Sequence, residues 1–250
     1  LHVRPVLNMK SDPDIKNMRA ISEEAFEMVK DYKGSHSGEH GDGIVRSEFH
    51  EMMFGKKITN AFEEIKDTFD NKNLLNPGKI VRPFKSNDRS LMRYKSDYQT
   101  ENISTHYDWS NWGQFSDAIE MCNNNGACRK LDSGVMCPSY RVTKEEKDLV
   151  RGRANTLRLA LSNQLPEGSF ASKEMYETME LCVSCKACQR ECPMSVDMAK
   201  MKSEFLSHYY KKFSMRIKDR IISDMPKLIW LYKIVNPIIN KIKNYPLVSN

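Results

Sequence analysis

The sequence predicts an α+β fold that is mainly α: a first region with one strand-like run, a cysteine-bearing helical domain, and a helical tail. Three observations predict it. "LHVRPVLNM" (1–9) is the one β-like run, whereas apolar residues elsewhere recur at three-to-four spacing. All seven cysteines lie between Cys122 and Cys192. From Lys200 onward there are 11 Lys plus Arg against 3 Asp plus Glu, a balance of +8, while the preceding residues sum to −2.

The elements follow in order. A helix is expected from about Asp12 to Lys33, with Ile15, Met18, Ile21, Ala25 and Met28 as its apolar stripe and Ser11, Asp12 and Pro13 as start signals. The glycine-dense loop "GSHSGEHGDG" (34–43) comes next, then a short helix from about Ser47 to Gly55 and a longer one over 56–69. "DNKNLLNPGKI" (70–80) is turn chemistry. These divisions give a first domain over 1–80, a polar and aromatic linker over 81–110, a cysteine-bearing helical domain over 111–200 and a basic helical tail over 201–250. "TKEEKDLVRGRANTLRLALS" (143–162) reads as one helix between the cysteine groups.

At 250 residues the chain is long enough for one large or two modest cores. An odd cysteine count, tight spacing and no secretory leader argue against a disulfide framework and for metal or cluster ligation in a reducing compartment. The chain begins at Leu1 and is expected to be a piece of a longer protein, open at both ends. A nucleic-acid partner is not expected, because only the tail is basic and no binding motif occurs.

"CVSCKACQRECP" (182–193) has the spacing C-x2-C-x2-C-x3-C-P of bacterial ferredoxins. Three thiolates at i, i+3 and i+6 can face one iron–sulfur cube, and the fourth leads away to a second cluster. Zinc is the competing reading, but its sites seldom crowd four cysteines into 11 residues. The group Cys122, Cys128 and Cys137 has looser gaps, and Asn125 stands where a middle cysteine belongs. Exchange of fourth ligands predicts one cluster on Cys182, Cys185, Cys188 and Cys137. Cys122, Cys128 and Cys192 are left for another, one thiolate short. That second site would hold a 3Fe–4S cluster, or a 4Fe–4S cluster completed by Asn125, water or a group outside this chain. The bland alternative is a single 4Fe–4S cluster with the first group as buried thiols.

In "GEHGDG" (38–43), Glu39 and His40 make a carboxylate–imidazole pair for metal binding or proton transfer, and His2 is a nearby candidate ligand. The bland readings are a polar turn and a solvent-facing histidine. His36, His50, His106 and His208 read as surface or helix residues and receive no role.

"LHVRPVLNM", "SGEHGDGIVRSEF" and "LLNPGKIV", in that order, resemble the C-terminal part of FAD-linked oxidases of the vanillyl-alcohol-oxidase type. The likeness is to the D-lactate, glycolate and D-2-hydroxyglutarate dehydrogenase group. The cysteine stretches that follow resemble the iron–sulfur half of bacterial D-2-hydroxyglutarate dehydrogenase-like fusions, and the resemblance covers about residues 1–205. It implies the end of a substrate (cap) domain, then an α-helical ferredoxin-like domain, with the FAD-binding domain outside this chain. It further implies that His2 and Glu39 hold a divalent metal, usually zinc, with a preceding histidine before Leu1. His40 matches the catalytic base and also contacts substrate, and Asn76 matches a residue near the flavin ring. Arg4 departs from the asparagine common there and is expected to pair with a substrate carboxylate.

The function so implied is oxidation of a small D-2-hydroxy acid, D-2-hydroxyglutarate first and D-lactate or glycolate as alternatives. Electrons would pass from FAD through the clusters to a quinone or carrier protein. A pure iron–sulfur electron-transfer subunit is the rival class, against which "GEHGDG" and "NPGK" argue, since a carrier needs no substrate loop. A metal-stabilised interaction domain without catalysis is a third. The expected location is cytoplasmic. The tail (211–244) is broken by Lys233 and Pro237, too short and charged to span a bilayer. Packing against a downstream part of the protein is favoured for it over peripheral contact with the inner face of the membrane.

Overall fold

The computed structural model describes residues 4–243. It divides into two compact units, Leu1–Tyr98 and Gln99–Asn250. Both are helical, and no strand occurs among the described residues. The expected β component is therefore absent from residues 4–9. A strand needs a partner for its backbone groups, and Val6 in this run is 99% exposed.

In the first unit, α1 (Asp12–Asp31) begins with Pro13 in its first turn, beside Asp12 and Asp14, whose charges suit the positive end of the helix dipole. The Asn8 N–H donates to Asp14 (2.8 Å), fixing how the chain enters the helix. The buried face differs from the expected stripe. Ile15 is buried and Phe26 packs edge-on against Phe49 at 4.9 Å, while Ile21 and Met28 are exposed. Helical spacing alone admits neighbouring faces, and the Phe49 ring selects one.

Two short helices, α2 (Gly43–Ser47) and α3 (His50–Phe54), take the place of the single one expected, and α4 (Lys56–Phe69) follows Gly55. Glu48 lies between α2 and α3 and ties the unit together. It accepts from Arg19 (2.9 and 3.0 Å) and from the Ser86 N–H (2.6 Å). Burial alone would raise its pKa, but these donors outweigh that and lower it. The stretch expected as a linker is not free chain at its start. Arg89 donates to Asp12 and to the carbonyls of Tyr94 and Lys95, so residues 86–95 lie on the first unit. Polarity marks these residues as hydrogen-bonding, and composition cannot say to what.

The second unit has the larger core. α5 (Phe115–Glu120) packs on α7 (Val150–Leu161), which in turn meets α8 (Lys173–Glu180) and α10 (Met198–Lys212). Ile119, Leu149, Leu157, Leu161, Met179 and Phe205 are fully buried there. Each such side chain contributes about 1.5–3 kcal/mol. The single helix expected over 143–162 is broken. α6 (Pro138–Thr143) ends where Lys144 turns left-handed (φ 60°), and α7 starts only at Val150. The intervening turn is held because Ser139 Oγ and Arg153 both donate to the Asp148 carbonyl (2.6 and 2.7 Å).

α9 (Ala187–Glu191) is short, and α11 (Ile217–Lys243) is long, with Pro226 and Pro237 inside it. Ile221, Ile222, Met225, Ile229 and Trp230 on α11 are exposed. No described helix is long and apolar enough to cross a membrane.

A thiol pocket and a glycine–histidine loop

The cysteine run folds as tight turns rather than regular helix. Ser184 and Lys186 adopt left-handed conformations (φ 54° and 59°), and Lys186 opens α9. These turns bring Cys182, Cys185 and Cys188 to one small cavity, and Cys137, at the entry to α6, lines the same cavity. Met136, Val150, Arg153, Met198 and Ala199 complete its wall. Lys202 Nζ donates to the Cys182 carbonyl (2.6 Å) and the Glu180 carbonyl (3.1 Å), holding the start of the run.

All seven cysteines are free thiols. Burial pushes Cys137 up to about 12 and also raises Cys188 and Cys128. A buried thiol resists losing its proton, so the thiolates that iron requires form only with a cation to offset their charge. Arg153 is the fixed cation nearby: it is fully buried, opposes the upward shift of Cys137, and donates to the Thr178 carbonyl (2.9 Å). Four converging thiols in a wall that is part apolar and carries the buried Arg153 cation fit an iron–sulfur centre.

In the other group, Cys122 and Cys128 are buried close enough for each charge to affect the other. The turn Ala127–Arg129 packs on α9, whose C-terminal cap is Cys192. Asn125 is exposed and committed to its own turn. Its Oδ1 accepts the Ala127 N–H (2.8 Å) and its Nδ2 donates to Asn123 (2.6 Å). The neighbouring Asn124 is the residue whose amide oxygen faces Cys122 Sγ, at 3.9 Å.

In the first unit, Gly41 and Gly43 adopt positive φ (69° and 52°), which turns the 34–43 loop into α2. Arg46 donates to the Gly41 carbonyl (2.9 Å) across that turn. Glu39 Oε1 lies 3.2 Å from His40 Nε2, and both side chains are exposed (65% and 62%). Arg4 is exposed, and His2 lies outside the described residues. Asn76 (φ 48°) lines a groove of about 570 Å³ along α4, together with Phe62, Ile65, Phe69, Leu75 and Ile80.

The residues that motif reading passed over are the buried ones. His36 and His50, read as surface or helix positions, are 8% and 3% exposed and converge on Asp42. Burial lowers the pKa of His36. Their spacing matches no ligand motif, so the sequence carried no signal for the grouping beyond the histidines themselves.

Residues 1–80 match the family described as FAD linked oxidases, C-terminal domain, and residues 118–196 match the 4Fe-4S dicluster domain. The chain is 31% identical to D-2-hydroxyglutarate dehydrogenase of Haemophilus influenzae, over 90% of this chain and 25% of that protein. It is 29% identical to the Escherichia coli (strain K12) protein of the same name, over 99% of this chain and 27% of that protein. A glycolate oxidase subunit, GlcD of Bacillus subtilis, is 30% identical over 32% of this chain and 17% of that protein. The chain thus spans about a quarter of the length of the curated D-2-hydroxyglutarate dehydrogenases it matches. No solved structure matches it.

Proposed function

We propose that this chain, a FAD linked oxidase C-terminal domain followed by a 4Fe-4S dicluster domain, serves a flavin-dependent D-2-hydroxyacid dehydrogenase. It would supply part of the substrate site and the electron exit. The observation that carries this reading is the succession, in one chain, of the Glu39–His40 loop and a cavity bordered by four thiols. D-2-hydroxyglutarate is the first substrate to try, on the names of the relatives that match most of the chain. Glycolate is second, because the GlcD likeness covers about a third of it.

When bound, FAD accepts two electrons from C2 of the substrate, and iron–sulfur centres carry electrons onward singly. His40, paired with Glu39 on the exposed loop, is the base that takes the C2 hydroxyl proton. Arg4 pairs with a substrate carboxylate. Glu39, with His2, would hold a divalent metal, zinc in this reading, which would supply Lewis-acid polarisation of the hydroxyl. Asn76, which lines the groove along α4, would contact the flavin ring. Cys137, Cys182, Cys185 and Cys188 bind one 4Fe–4S cluster. Cys122, Cys128 and Cys192 bind a second, as 3Fe–4S or as 4Fe–4S with a non-cysteine ligand.

The first unit is the end of a vanillyl-alcohol-oxidase-type substrate domain, and the second is an α-helical ferredoxin-type domain with a basic tail. A quinone or a carrier protein receives the electrons on the cytoplasmic side, and the basic tail packs against a downstream part of the protein, with peripheral contact to the inner face of the membrane as the second reading.

The test uses the complete gene product with flavin and clusters bound. Mixed anaerobically with D-2-hydroxyglutarate, it should show bleaching of the flavin absorbance. The His40→Ala variant should bleach slower by about 10²–10⁴-fold, with unchanged iron content. Wild-type rates in that variant would remove His40 from the chemistry.

A further inference from the structure

His36, Asp42 and His50 form a buried cluster apart from the exposed Glu39–His40 pair, and nothing in the proposed reaction uses them. The loop after α1 delivers His36, the residue before α2 is Asp42, and α3 opens with His50. One potential donor atom from each lies within 4.8 Å of the others. His50 Nε2 is 3.0 Å from Asp42 Oδ2, and His36 Nε2 is 3.8 Å from Asp42 Oδ1.

The tautomer of His50 is set by its other nitrogen. Nδ1 faces the Ile80 carbonyl at 3.3 Å. A carbonyl only accepts, so Nδ1 carries a proton, and Nε2 is left facing the Asp42 carboxylate. A metal ion bound there would take the place of a proton on Nε2.

His36 is harder still to satisfy. Its side chain is 0% exposed, and its ring nitrogens meet only the Arg46 backbone and a distant Asp42 oxygen, neither as a well-formed hydrogen bond. Asp42 Oδ1 also lacks one, and His50 Nε2 meets only Asp42 Oδ2. Such buried polar atoms without good partners are costly to leave unpaired. Phe26 and Phe54 flank the His36 ring at 5.2 and 5.7 Å, and Phe62 flanks His50 at 6.2 Å.

We propose that His36, Asp42 and His50 bind a divalent transition-metal ion, zinc by preference. Two imidazoles and a carboxylate are donors that zinc accepts. With Asp42 chelating through both oxygens, one directed to each imidazole, the set reaches four donor atoms. The Ile80 carbonyl holds the His50 ring in its ligating tautomer, as outer partners of metal-bound histidines do. The ion locks the loop that carries Glu39 and His40 onto α3. Its role is structural, and it stands whether or not the dehydrogenase reading does.

The test loads the full chain, clusters included, with zinc alone, removes excess by gel filtration, and measures zinc per chain and X-ray absorption at the zinc edge. One equivalent should be retained with nitrogen and oxygen neighbours at about 2.0–2.2 Å and no sulfur contribution from that equivalent. Asp42→Asn should lose that equivalent, as should His50→Gln. Zinc should raise the thermal midpoint of wild type but not of either variant. Adding Asp42→Asn to Glu39→Gln should remove the same equivalent, which separates this site from any metal held by Glu39. Retention of the equivalent in both variants would overturn the assignment, as would sulfur-only coordination or no zinc in wild type. If the variants fail to fold, the Glu39→Gln chain decides: one zinc equivalent with nitrogen and oxygen neighbours supports the site, and none overturns it.

Discussion

The indole Nε1 of Trp109 donates to Glu204 Oε2 over 3.1 Å, although 95 residues separate the two along the chain. The same carboxylate accepts the N–H groups of His106 (2.9 Å) and Tyr107 (3.0 Å). Glu204 is fully buried on α10 and so fastens the segment preceding α5 to the core of the second unit. Burial alone would raise its carboxyl pKa, but the three donors outweigh it and hold the value below the ordinary 4.5.

A carboxylate with a depressed folded pKa contributes stability that is complete above its unfolded value and is lost as pH falls through the folded one. Glu204→Ala leaves three donors without an acceptor and should cost roughly 3 kcal/mol or more. Glu204→Gln should cost less and should flatten the acid dependence. Urea unfolding of both variants and wild type, followed by tryptophan fluorescence from neutral pH down through 4.5, checks this. Identical acid slopes in wild type and Glu204→Gln would show that the carboxylate charge plays no part.

Gly152 sits inside α7, where glycine costs about 1 kcal/mol relative to alanine on propensity alone. A Cβ at this position would come 1.9 Å from the Glu146 carbonyl oxygen, which is backbone and has little freedom to move. Gly152→Ala should therefore destabilise, by about 1–3 kcal/mol or more as overpacking does, despite the better helix former. Because Val150 and Arg153 on the same helix line the thiol cavity, iron retention should fall too. Denaturation midpoints and iron per chain measure both effects, and a more stable variant would mean that α7 can shift freely.

The same glycine shows why some features were legible in the sequence and others were not. The cysteine run was legible because its chemistry is local: 11 residues hold four thiols, and tight turns suffice to gather three of them. The recruitment of Cys137 to that cavity also followed, since motif logic supplies the partner. α4 was legible from its spacing. The break at Lys144 was not, because it depends on Ser139 and Arg153 reaching the Asp148 carbonyl from other turns. His36 and His50 were passed over for a related reason. Their burial comes from Phe26, Phe54 and Phe62 on three different helices, and no spacing rule encodes that meeting. The strand-like run at the start had the right residues but lacks a pairing strand among the described residues.

The last prediction concerns how seven thiols are shared. Cys137 lines the cavity of Cys182, Cys185 and Cys188, so it is assigned to their cluster despite lying 45 residues before Cys182 in sequence. Cys137→Ser and Cys185→Ser should then remove the same cluster signal and leave the other. Cys122→Ser and Cys128→Ser should do the reverse, because their thiols adjoin each other and the turn between them packs on α9. Asn125→Ala should leave both signals in place, since its amide oxygen is already taken by the Ala127 N–H. Asn124→Ala should perturb the second signal alone, because its amide oxygen, held by Asn155 Nδ2 (2.7 Å), lies beside Cys122 Sγ at 3.9 Å. Electron paramagnetic resonance separates the two centres: a 3Fe–4S cluster is visible oxidised, whereas a 4Fe–4S cluster of the ferredoxin type is visible reduced. Loss of both signals in every cysteine variant would mean one shared folding unit, and a single signal unaffected by Cys122→Ser would mean one cluster.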